Sequence, residues 1–149
     1  MPKTDVDGLR KKFRKVARFS FGIKDMMKFG NIVRTVRMKA FDASIAPDGS
    51  QWEKLKPETI ARKRKKGAKH PTKPLIDVGY LRKPTVEAEE NMAVVRVAKS
   101  REAISGYHNA PTGDRPPKRE HWAIYPEAIK QIEKLKEQIF ERVIRSIFG

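Results

Sequence analysis

The stretch from Pro126 to Phe148 constrains the fold more than any other part of the chain. Ile129, Ile132, Leu135, Ile139, Val143 and Ile147 recur there at steps of three and four residues, and Phe140 and Ile144 widen the same stripe. That spacing puts them on one side of an α-helix opened by a proline in its first turn. Glu133 with Lys136, Glu137, and Glu141 with Arg145 occupy the other side as helix-supporting charges. A helix near 127–148 with so wide an apolar face needs a cover, and so does a second one. From about Ile23 to Ile45, the residues Ile23, Met27, Gly30, Val33, Arg37, Ala40, Phe41 and Ser44 recur at the same steps, until Pro47-Asp48-Gly49-Ser50 ends the helix with turn chemistry. The two helices must cover a common sheet or each other. Gly30 costs this second helix about 1 kcal/mol relative to alanine, which signals a neighbour packed closely against it.

The remaining elements are shorter. Gly8 to Phe19 reads as a basic helix interrupted by Ser20-Phe21-Gly22. Pro57, followed by Glu58 and Thr59, opens a third helix that ends at Gly67. Its five consecutive cations, Arg62-Lys63-Arg64-Lys65-Lys66, ring the helix and are expected to stay exposed. Ala68 to Pro74 reads as a mobile loop. Thr85–Glu89 and Met92–Lys99 alternate around Glu90-Asn91 and predict a β-hairpin. Leu75 to Leu81 is an apolar segment whose Gly79 suits a bend entering that hairpin. Ser100 to Lys118 shows no periodicity and reads as loop, and His121–Tyr125 as one further strand. The expected fold class is therefore α+β: a small antiparallel sheet packed by the long N-terminal helix and the C-terminal helix, with extended loops. Residues 1–22 form a basic arm, and 23–149 form a single domain.

Charge separates the halves of the chain. Its 149 residues hold 34 Lys+Arg against 18 Asp+Glu, a net charge of +16. Residues 1–40 contribute +9 and residues 41–75 another +5, leaving +1 each for 76–125 and 126–149. Such an asymmetry suits a surface that faces a polyanion. The absence of cysteine excludes disulfide scaffolds, thiol nucleophiles and cysteine-ligated zinc. No apolar run is long enough to span a membrane, and the N-terminus has no signal-peptide core, so no membrane partner is expected.

Catalytic signatures are lacking. There is no nucleophile elbow, P-loop, H-E-x-x-H or EF-hand loop. His70, His108 and His121 lie in or beside loops without metal-ligand spacing, so no cofactor or metal is expected. His108-Asn109 with His121 is the remnant from which a nuclease reading would have to be built. Asp77, Glu87, Glu89 and Glu90 read as strand-surface and edge charges. Trp52 and Leu55, just past the turn, read as a core anchor between the second and third helices.

These residues, in this order, resemble the phage virion morphogenesis family, the tail-completion or head–tail joining proteins of tailed bacteriophages. Gly49, Trp52 and Leu55, then Thr59 and Lys63, are similar to its G-x-x-W-x-x-L…T…K segment. Leu75, Gly79 and Leu81 match its L-x-x-T-G-x-L stretch, with Val78 where threonine is usual. Tyr107, His108, Gly113 and Arg119 resemble its Y-A-x-x-H-x-x-G…P-A-R region, with Lys118 where a small residue is usual and an irregular spacing between His108 and Gly113. The likeness runs from about Ala46 to the C-terminus.

The resemblance implies a non-enzymatic subunit of the virion, made in the host cytoplasm and built into a ring at the neck or the head-proximal tail end. Related proteins suggest six-fold symmetry, although the sequence itself shows none. The implied partners are further copies of the chain, other neck, connector or tail proteins, and the passing genomic DNA. In that setting Arg62, Lys63, Arg64, Lys65, Lys66 and Lys69 are expected to face DNA or an acidic partner, and 68–74 and 109–118 to be docking loops. The alternative is a sequence-non-specific nucleic-acid-binding protein, with a nuclease a distant third.

Overall fold

A computed structural model of the protein describes residues 6–76, 81–109, 119 and 121–149. The described elements, in chain order, are α1 (Val6–Ala17), α2 (Ile23–Ala43), α3 (Pro57–Lys65), β1 (Thr85–Glu89), β2 (Met92–Arg96), a 3₁₀ turn (Lys99–Arg101), α4 (Glu102–Asn109) and α5 (Pro126–Phe148). This is a small α+β fold with one two-stranded antiparallel sheet among the described residues.

Helix α2 is the hub. The hairpin lies against it, α5 packs on it, and α1 packs on the far part of α5. Of the two covers open to α5, it takes the other helices: among the described residues it packs on α2 and α1, and α2 alone covers the strands. The hairpin register pairs Val86 with Val95 and Ala88 with Ala93, and it leaves Glu87 and Glu89 exposed. Gly30 is where the sheet comes closest. A Cβ built there would stand 2.3 Å from Val86 Cγ1, so only glycine fits without displacing a strand side chain.

The break between α1 and α2 is fastened to the hairpin turn. Asn91, in the left-handed region at φ 59°, donates its N–H to the Phe21 carbonyl at 3.0 Å. Its side-chain oxygen accepts the Phe21 N–H at 2.8 Å, and the Ser20 hydroxyl donates to Glu90 at 2.6 Å. A ladder of edge-on rings runs from Phe29 through Phe21 and Phe19 to Phe140 of α5, and Phe13 meets Phe148 further out.

Helix α2 ends at Ser44 in the left-handed region, with the Ser44 and Ile45 N–H groups returning to the Phe41 and Ala40 carbonyls. That double return satisfies carbonyls the helix would otherwise leave open. Two apolar clusters follow. Phe41, Ala46, Trp52, Ile76, Leu81 and Val97 form one; Val36, Ala40, Tyr125 and Ala128 form the other.

Several sequence expectations are corrected. His121–Tyr125 is not a strand: it bends at Trp122-Ala123 and turns two buried side chains, His121 and Tyr125, to polar partners, the Tyr125 hydroxyl donating to the Ile45 carbonyl at 3.1 Å. The reach from Ser100 is not all loop, because α4 occupies 102–109; one short turn-pair with a small buried serine leaves no apolar period to read. The segment 68–74 is not loosely held. Pro74 is buried, Lys73 donates to the Asp42 carbonyl, and Arg82 forks onto the Asp42 carboxylate beside it. On α2, the expected stripe fails at two positions, Ile23 and Met27, which are exposed, while Arg37 is buried along with Ala40 and Phe41 near the helix end.

Candidate functional site

Three of the motif residues, Trp52, Leu75 and Leu81, meet in the cluster around Phe41. Gly49 holds φ 86° in the turn after α2, where the Asp48 carboxylate accepts the Ser50 N–H and hydroxyl. The chain then returns, and the Trp52 N–H donates to the Ser44 carbonyl at 2.8 Å. The Trp52 indole is buried, edge-on to Phe41 at 5.0 Å between centroids. Leu75, at φ 58°, and the buried Leu81 join the same cluster. Leu55 and Thr59 are half-buried. Gly79, Gly113 and the docking loop beyond Asn109 lie outside the described residues, as does Asp77, and Tyr107 is placed only as a member of α4.

A buried polar cluster adjoins this core. Arg119 is 4% exposed; its N–H donates to the His108 carbonyl at 2.7 Å, and its guanidinium donates to the Glu53 carbonyl at 3.2 and 3.4 Å. His121 Nδ1 lies 2.8 Å from the Arg119 carbonyl and Nε2 lies 2.6 Å from the Ser105 hydroxyl. A carbonyl can only accept, so Nδ1 carries the proton and Nε2 accepts from Ser105. Burial pushes the His121 imidazole down to about 4, with Arg37 and His108 adding to the effect. Burial also lowers His108 and Arg119.

Arg37, 4% exposed, sits between aromatic faces, 5.3 Å from the Phe41 centroid and 5.4 Å from that of Trp122, and donates to the Leu81 carbonyl at 3.3 Å. Burial lowers it to about 10, so it stays charged at neutral pH.

A serine hydroxyl on a neutral imidazole that is itself oriented by a carbonyl has the connectivity of an activated nucleophile. Ser105 and His121 are both 0% exposed, however, and no substrate atom can reach the hydroxyl in this arrangement. Among the described residues no three His, Asp or Glu side chains gather to hold a metal. The cluster cross-links α2, α4 and the segments at 53, 81 and 119–122. Sequence reasoning noticed Arg119 and His108 but missed Arg37 and Ser105; a lone arginine on an otherwise apolar helix face was the available signal for the first.

The basic residues behave differently from one another. Arg62, Arg64, Lys65, Lys66 and Lys69 are exposed. Lys63 is not: its ammonium is turned inward and donates to the Lys73 carbonyl at 2.8 Å and the Ile76 carbonyl at 2.6 Å. The expectation that all five consecutive cations stay outside is thus corrected. Lys63 fails it because the long stem lets one ammonium reach two backbone carbonyls. Gly67, at φ 71°, closes α3, with the Ala68 and Gly67 N–H groups returning to the Lys63 and Arg64 carbonyls.

What the fold and site define is a small α+β domain with a sealed polar core and a basic helical projection. Comparison with family models, with curated proteins and with solved structures found no match for the chain. No helix among the described residues is long and apolar enough to cross a membrane.

Proposed function

We propose that the chain is a structural assembly subunit of a tailed-bacteriophage particle, completing the tail or joining head to tail as one member of a ring at the neck or tail end. The motif order described above motivates the particle. The observation that carries the assembly role is the apolar surface left open along α1 and α5. Helix α1 has no buried residue, with Val6, Leu9 and Phe13 between 42% and 59% exposed. On α5 only Ala128 and Ile139 are buried, while Ile129, Phe140 and Phe148 are between 36% and 44% exposed. Large apolar side chains grouped on neighbouring helices mark an association surface.

The test has two arms. Light scattering across a concentration series should give a defined oligomer for the full chain, and Leu9→Ser with Ile129→Ser should shift it toward monomer with the melt intact. Particles made without the protein should accumulate as full heads beside finished, unjoined tails. A chain that stays monomeric at high concentration, and whose absence leaves joined particles, refutes the reading.

A further inference from the structure

We propose that the outward side of α3 is a docking surface for the phosphate backbone of double-stranded DNA, read without regard to sequence. Helix α3 makes no contact with another helix or strand among the described residues. It is nevertheless held in one orientation, because Lys63 is drawn inward onto the carbonyls of residues 73 and 76. Fixing that residue turns the rest outward. Arg62, Lys65 and Lys66 stand at i, i+3 and i+4, neighbours on one side of the helix. Lys69 follows just past the Gly67 turn, and Arg64 flanks them. None of these five side chains makes a hydrogen bond or ion pair with the described residues.

The chemistry of this side selects the partner. A protein interface centres on buried aromatic and aliphatic anchors and is depleted in lysine. The outward residues of α3 offer no such anchor: Pro57, Glu58, Ala61, Arg62, Arg64 and Lys65 are the exposed ones. A second copy of the chain cannot be the neutralising partner either, since it brings a further +16. A polyphosphate needs only cations at close spacing on a rigid support, and it gains free energy from each counterion released. The surface has no arrangement for reading base edges, so the contact is with the backbone alone.

The experiment uses the full chain and fluorescein-labelled 30-base-pair duplexes of two unrelated sequences, titrated by anisotropy from 50 to 300 mM KCl. The wild type should bind both alike, with affinity falling steeply with salt. A variant carrying Arg62→Gln, Arg64→Gln, Lys65→Gln and Lys66→Gln should melt like the wild type, because Lys63 is kept. Its slope of log K against log salt should be smaller by about 3–4. A charge-matched variant on α5, Lys130→Gln, Lys134→Gln, Lys136→Gln and Arg142→Gln, should leave the slope unchanged.

Three results overturn the proposal: no duplex binding by the wild type at 50 mM KCl, equal slope losses in both variants, or binding to poly-L-glutamate without binding to duplex. The oligomeric state of the α3 variant, measured in the same buffers, should match the wild type. A wild type that stays monomeric yet binds duplex with the expected slope would count against the ring reading and not against this one.

Discussion

Replacing Gly30 by alanine puts two opposed effects at one position. Alanine favours the helix by about 1 kcal/mol over glycine. The new methyl would fall 2.3 Å from Val86 Cγ1 and 3.6 Å from the Ala93 Cβ, whereas carbon atoms settle at about 3.5–4.0 Å. The Val86 methyl must therefore retreat by more than an ångström. Valine is stiff at χ1 and pinned opposite Val95 in the ladder, so the adjustment passes to the strand. Overpacking of this sort costs about 1–3 kcal/mol, and the net for Gly30→Ala is a destabilisation of about 1 kcal/mol. Urea melts at constant m measure it.

The sharper readout is the cycle with Val86→Ala. Removing the methyls alone destabilises, but in the Gly30→Ala background it also relieves the clash, so the two changes together should cost about 2 kcal/mol less than their sum. If Gly30→Ala stabilises the protein by the full helix increment and the cycle is additive, the hairpin does not sit on α2 at this point.

Two further outcomes test the core. Trp52→Ala should cost about 3–5 kcal/mol, since it empties the space between Phe41 and the 44–46 turn; a loss under ~1 kcal/mol would mean the indole is solvent-facing. Stability should also fall with acid. The unfolded His121 takes up a proton near its ordinary value of 6.5, but the folded one only near 4. Stability is therefore complete above pH ~6.5 and declines as pH drops toward 4, by about 3 kcal/mol in all. His121→Gln should be less stable at pH 7 yet flatter across that window, and a wild-type curve already flat there would show the imidazole to be exposed.

Helices α1, α2, α3 and α5 were legible in the sequence because their signals are local; α4 was not, since it carries no apolar period. The period of α5, the proline at the start of α3, the turn after α2 and the alternation of the hairpin each depend on neighbours within a few residues. Gly30 even announced a close contact, since a glycine in mid-helix needs a reason. What the sequence by itself could not decide is where polar groups end up, because that depends on which carbonyls and rings the folded chain brings within reach. Lys63 belongs to a run of five cations that look alike in sequence, and only the tertiary arrangement of 73–76 draws that one inside. Arg37 reads as an interruption of an apolar face, yet the aromatic rings of Phe41 and Trp122 and the Leu81 carbonyl make it a buried centre. Ser105 and His121 are sixteen positions apart and carry no periodicity, so their hydrogen bond exists only once α4 and the segment before α5 are packed together. Local periodicity and turn chemistry therefore determined those four helices and the hairpin. Long-range desolvation and hydrogen-bond satisfaction, which no short window contains, determined the polar interior and which cations remain on the outside.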